Sequence, residues 1–220
     1  IARQLCMEAQ NHALLCQEIE SELRELCLEC RKRSPSIKEY TERAILKIRH
    51  HRDLVEKAGG GTDLPEFPLH EVLKSLLMAC ETFQVKIVLI SLSCLQRLIH
   101  RRVLKDETVA IIINLMKEQA INGEEQVQLK VLQTIMATPA HMTLVNELVV
   151  EQLLQLLYVL HNSASVSVHH TACAGLRQLT ESICDRAGVM AKESPDSKLT
   201  GNERRDKLRL VGPVIQQSPA

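Results

Sequence analysis

The chain has 220 residues, 45% of them hydrophobic, and its 27 basic side chains balance 27 acidic ones. That length suffices for one sizeable core or for a row of stacked helical pairs, and zero net charge gives no bulk electrostatic reason to bind duplex nucleic acid. Two Phe, two Tyr and no Trp argue against stacking single-stranded nucleic acid on aromatic platforms, and leave Leu, Ile, Val, Met and Ala to fill a helical interior.

The eight cysteines sit mostly inside apolar helical patterns, so they read as reduced, small hydrophobes of a cytosolic protein. No signal peptide or membrane-spanning run is legible. The chain starts at Ile1 without Met and reads as a piece of something longer.

In chain order, residues 3–32 predict one long helix, with Leu15, Ile19, Leu23, Leu26 and Cys30 recurring at three- and four-residue steps. Arg31, Lys32 and Arg33 place positive charge at its C-terminal end, where the dipole favours it. Ser34-Pro35 is a break, and Pro35 starts a second helix to about 57 with Ile37, Thr41, Ala44, Ile45 and Ile48 on one stripe. The two form a long antiparallel pair, 3–57. Residues 58–66, centred on Gly59-Gly60-Gly61-Thr62, predict a linker.

A third helix, about 68–81, carries Leu69, Val72, Leu73, Leu76, Leu77 and Cys80. The fourth, 84–100, is apolar on nearly every side and too short and interrupted to span a bilayer, so it reads as buried between other helices. The fifth begins near Lys105, presents Val109, Ile112, Ile113 and Met116, and ends at Asn122-Gly123. A sixth runs from Glu124 to about Ala137, where Thr138-Pro139 predicts a stop. The seventh, roughly 145–161, has Val149, Leu153, Leu156, Leu157 and Leu160; the eighth, Ser165 to about Ala187, has Val168, Ala172, Leu176, Leu179 and Ile183. No strand pattern competes. Residues 191–220 predict a mostly flexible linker, with room for one short helix in Glu203 to Arg209.

Val85, Val127 and Val168 open similar helices, 42 and 41 residues apart, with Leu89, Val131 and Ala172, and Ile90, Leu132 and Cys173, in register. That period fits two-helix units whose stacking buries one continuous core. The expected fold is therefore all-α: an armadillo/HEAT-like helical repeat array of about eight helices, with the repeats over 67–187 and the domain over 1–190. A closed bundle is the other arrangement.

Chemistry-bearing motifs are sparse. Cys27 and Cys30 form a close pair, but lack a second Cys or His pair at matching spacing, and both lie in a helical pattern. The glycines at 59–61 have no Gly-Lys-Ser/Thr ending and no preceding strand, so no phosphate loop is expected. His50-His51 and His169-His170 are adjacent pairs, whose side chains point about 100° apart on a helix and make a poor common metal site. His100, His141 and His161 sit near helix ends, where they favour the dipole. No catalytic triad, metal set or cofactor motif is expected, and neither is enzymatic activity. The basic cluster Arg97, Arg101, Arg102 and Lys105 stands out at the end of the fourth helix. It is either a solvated helix terminus or a surface for an acidic protein or an anionic headgroup. Arg31 to Arg33 form a second such cluster.

Glu22 to Glu39, Ser91 to Ile99, Ala110 to Met116 and Gln128 to Thr134 resemble the N-terminal region of the Mon-two family, relatives of the large Sec-seven-type exchange factors for Arf GTPases. The shared domain is called DCB, for dimerisation and cyclophilin binding, and the resemblance covers about residues 15–187. It implies a non-catalytic scaffold, cytoplasmic and peripheral on trans-Golgi network and endosome membranes. Implied partners are an Arf-like small GTPase, a HUS-type domain (homology upstream of Sec-seven) of the same or another copy, a second copy of the chain, and a Dopey-type protein through the full-length protein. No nucleic acid and no cofactor are implied. Arg97 matches a basic position in the family's Leu-Gln-basic-Leu-Ile segment, and Arg101 and Arg102 join it as expected partner-binding residues by proximity. The exchange-factor relatives have a less charged turn there. A purely structural dimerisation or spacer module is the alternative.

Overall fold

The computed structural model describes residues 2–31, 34–58, 65–104, 106–141 and 147–193. They form eight helices and, among the described residues, no strand: α1 (Ala2–Cys30), α2 (Pro35–Ala58), α3 (Leu69–Cys80), α4 (Val85–His100), α5 (Asp106–Asn122), α6 (Glu125–His141), α7 (Glu147–His161) and α8 (Val166–Glu193). Contacts divide the chain into Ile1–Leu179 and Thr180–Ala220. Of the second unit, the described part is the last stretch of α8, 180–193. Of the expected linkers, 59–64 and 194–220 lie outside the described residues.

The apolar stripes set these elements. Leu15, Ile19, Leu23, Leu26 and Cys30 are all buried, as are Ile37, Thr41, Ala44, Ile45 and Ile48 facing them from α2. Two ends differ from expectation. Helix α6 continues through Pro139 to His141, and α8 continues to Glu193. A proline in a last turn forfeits a single backbone bond, too little to end a helix that already has its core stripe in place.

Within the first unit the helices pack as two layers. Helix α2 packs on α3, α3 on α5, and α5 on α7; α1 packs on α4 and α4 on α6. In the second layer, α8 approaches through Gly175, where an added Cβ would lie 2.9 Å from the sulfur of Met136 and 3.1 Å from Leu157. The array is thus four hairpins, consistent with the armadillo/HEAT-like reading. The sequence repeat maps onto its second layer, since Val127, Val131, Leu132, Val168 and Ala172 are buried at equivalent places in α6 and α8. The first hairpin enters in reverse order: α2 and α3 share a layer.

The core is mostly Leu, Ile, Val and Ala, joined by Cys16, Cys30, Cys80, Cys94, Phe67 and Met116, with few polar intrusions. Buried Thr41, Ser75 and Ser91 hydroxyls each donate back to a carbonyl of their own helix. Two glutamines do longer-range work. Buried Gln119 of α5 donates to the Cys80 carbonyl at the end of α3 (3.0 Å), and Gln128 of α6 donates to Ala120 of α5 (2.8 Å) while accepting from the Ser163 hydroxyl beyond α7 (2.8 Å). Between α5 and α6, Gly123 is required: a Cβ there would sit 2.3 Å from the Gln119 carbonyl.

Candidate interaction surface

The expected partner-binding arginines lie at the C-terminal end of α4, and α1 runs beside them. Arg97 Nε donates to Glu22 at 2.5 Å and Arg97 also lies 3.8 Å from Glu18; Arg101 donates to both Glu18 oxygens at 3.2 Å. Arg97 and Arg101 keep 47% and 32% of their side-chain surface exposed. The hydrogen bond and charge of Glu22 raise the Arg97 pKa further above its ordinary value. Two of the three arginines therefore clamp α4 to α1, across 75 and 83 residues of sequence.

Arg102 is placed differently. It follows the helix in the left-handed region, φ 55°, where its N–H bonds to Ile99 and the next N–H, of Val103, bonds to Leu98. That bonding pattern usually ends on glycine, because a Cβ is disfavoured at such a φ. Among the described residues no ion pair or hydrogen bond holds the exposed Arg102 side chain. Phe83, after α3, is a second exposed residue with φ 52°.

Val103 is also where a groove of about 940 Å³ begins. Its floor and walls come from α2 (His50, His51, Leu54), from Pro65 to Pro68, from one side of α3, and from Thr108, Ile111 and Ile112 of α5. Lys47, Lys74, His70, Glu71 and Glu81 mark its rim. Beneath it, His51 is buried against His12 and edge-on to Phe67 (5.6 Å), and neither of its ring nitrogens has a hydrogen-bond partner among the described residues. Burial, with a smaller contribution from His12, pushes the His51 pKa down and so disfavours the charged ring. As the sequence implies for adjacent helical residues, His50 and His51 diverge: one is exposed, the other buried.

A smaller concavity on another side is lined by exposed Leu28 and Phe83 with Arg31, Val85 and Lys86. Of the second expected basic cluster, Arg31 is exposed there; Lys32 and Arg33 lie outside the described residues. Cys27 and Cys30 are free thiols that share no site. Burial raises both, Cys30 to about 11, and Cys80 goes to about 12, so these sulfurs are inert packing groups.

The sequence reading missed three things: the α1 clamp, the groove with its orphaned imidazole, and a cluster of His161, His169 and Cys173. No metal-ligand set was expected from the sequence, and the structure brings these three side chains within reach of one another. The adjacent pair His169-His170 is irrelevant to it; His169 and Cys173, four residues apart on one face of α8, carried the signal.

Residues 10–191 match the family model described as DCB: Mon2/Sec7/BIG1-like, dimerisation and cyclophilin-binding domain. The chain is similar to the protein MON2 homolog of Xenopus laevis (27% identical over 209 residues) and of Homo sapiens (28% over 213 residues), each covering 93% of this chain. It is 29% identical over 181 residues, 82% of its length, to the Drosophila melanogaster counterpart. These alignments take in only 10 to 12% of the relatives' own length. No helix among the described residues is long and apolar enough to cross a membrane.

Proposed function

Because this chain belongs to the Mon2/Sec7/BIG1-like DCB family, a type of non-catalytic protein-interaction module, we propose that it is a membrane-traffic scaffold that contacts an Arf-like small GTPase through the α4–α5 turn and the adjoining groove. In this reading the GTPase brings the full-length protein, peripherally, to trans-Golgi network and endosome membranes. The observation that carries the placement is Arg102: an exposed guanidinium that pairs with none of the described residues, held at a glycine-favouring φ and next in sequence to the residue where a largely apolar groove begins. Arg97 and Arg101, both partly exposed, extend the basic edge while keeping α4 on α1. The Leu28–Phe83 concavity, with its own strained aromatic, suits a HUS-type domain or a second copy of the chain. A Dopey-type partner would be met through the full-length protein.

The test is binding of the purified chain to GTP- and GDP-loaded Arf-like GTPases, with mass read by light scattering. The expected result is selective binding of one GTP form, weakened at least about tenfold, roughly 1.4 kcal/mol, by Arg102→Glu. Undiminished binding by an intact Arg102→Glu chain removes the turn from the interface. A clean dimer that binds no GTPase favours the assembly role instead.

A further inference from the structure

The turn between α7 and α8 brings together three side chains that the interaction surface does not use. His161 is the last residue of α7; His169 and Cys173 stand one turn apart on the facing side of α8. Cys173 Sγ lies 3.2 Å from His161 Nδ1 and 3.7 Å from His169 Nε2, and the three ligand atoms all fall within 4.8 Å of one another. A tetrahedral Zn²⁺, with bonds of about 2.3 Å to sulfur and about 2.0 Å to nitrogen, sets S···N at about 3.5 Å. The two observed distances bracket that value.

The orientation of His169 is fixed independently. Its Nδ1–H donates to the His161 carbonyl at 2.6 Å, so in the neutral ring Nε2 carries the lone pair and faces the sulfur. A backbone carbonyl holding the far nitrogen is the usual support of a metal-binding histidine. The two imidazoles are 4.4 Å apart and inclined at 31°, near enough to converge on one ion. All three residues are half-buried: shielded enough to hold an ion, open enough for one to enter. Two neutral imidazoles and one thiolate, a borderline-soft set with a single negative charge, suit Zn²⁺ better than Mg²⁺ or Ca²⁺.

We propose that His161, His169 and Cys173 form a Zn²⁺ site with three protein ligands, its fourth position taken by water, and that the ion staples α7 to α8. Binding converts the Cys173 thiol to a thiolate, with its proton released to solvent. The hydrogen bond that ends α7 becomes the outer support of the site. Between the ligands lie seven residues and then three, a spacing that spans a helix end, a turn and one helical step.

The metal-free chain, kept reduced without chelating thiols, is titrated with Co²⁺. One equivalent should produce the visible bands of four-coordinate cobalt together with thiolate-to-cobalt charge transfer, and Zn²⁺ should bleach both. Cys173→Ser should remove the charge transfer and weaken binding at least about tenfold, and His161→Gln should weaken it comparably. Cys184→Ser, which alters another accessible thiol, should change nothing. A wild-type chain without these bands, or bands that persist in Cys173→Ser, overturns the site. Should the Cys173 variant fail to fold, zinc-edge X-ray absorption of the wild-type protein decides: one sulfur and two imidazole nitrogens support the proposal, and an all-sulfur or sulfur-free shell overturns it.

Discussion

The front of the array, up to Arg101, and the rear, from Arg102 to Leu179, have the same aliphatic interior but are held at their edges by different means. In front, charges bridge helices. Glu20 is 5% exposed and receives Arg24, Arg49 and Arg52, joining α1 to α2; Glu18 and Glu22 take Arg97 and Arg101; Lys86 reaches Glu29 and Lys47 reaches Glu71. Among the described residues of the rear no ion pair links two helices. There the polar links lack an opposite-charge pair, such as Lys117 to the Gln155 amide, Ser163 to Gln128, and the histidine–cysteine cluster. Over an interior that both ends share, ion pairs thus join the helices of the front, among them those of the first hairpin with its reversed order.

The largest expected effect tests the shared interior. Leu76→Ala in α3 and Leu156→Ala in α7, both fully buried, should each cost about 3 kcal/mol in urea unfolding. A much smaller loss at Leu156 would mean that the rear core is loosely packed and the parallel false. Next is Glu20→Gln, with an expected loss of about 2 kcal/mol at pH 7. Burial raises the Glu20 carboxyl, but the hydrogen bond from Arg49 and the charges of Arg24, Arg49 and Arg52 outweigh it and leave the pKa below 4.5. The contribution is therefore complete above pH 4.5 and lost as pH falls through the lower native value, so the gap between wild type and variant should close in acid. A gap independent of pH would assign the effect to packing.

Smaller still is Arg97→Glu with Arg101→Glu. Both sites are partly solvated, so about 1 kcal/mol is expected, recovered by adding Glu18→Arg and Glu22→Arg and diminished by salt. Failure of the swapped pairs to recover it would show that orientation, not charge, matters. The smallest effect has the opposite sign. Arg102→Gly relieves the left-handed φ and should stabilise the fold by about 0.5 kcal/mol by the same measurement. With weakened GTPase binding, that gain would mark the arginine as kept for contact; with binding intact, it would mark the turn as merely tolerated.

All eight helices were legible, because each carries an apolar stripe at helical spacing that the core then buries. Val85, Val127 and Val168 announced the second layer for the same reason. What a periodicity cannot carry is a partner in a distant helix. Nothing local to Arg97 or Arg101 points to Glu22 or Glu18, so a pair of interhelical clamps looked like one free basic patch. His161 looked like a charge at a helix end, since its partners lie across a turn whose path the sequence does not fix. Pro139 shows the converse: a breaker read locally loses to a helix already anchored elsewhere.

The hydrogen bonds of Gln119, Gln128 and Ser163 bear on how the array comes apart. Ser163 holds Gln128, Gln128 holds the end of α5 at Ala120, and the neighbouring Gln119 holds the end of α3 at Cys80. Three successive hairpins are tied turn to turn along one edge. A hairpin that opened would leave its neighbour with a bare carbonyl or an idle amide. Stacked units of this kind can melt by fraying inward from an end. Here the edge ties penalise each partly frayed state and push the second to fourth hairpins toward melting as one cooperative block.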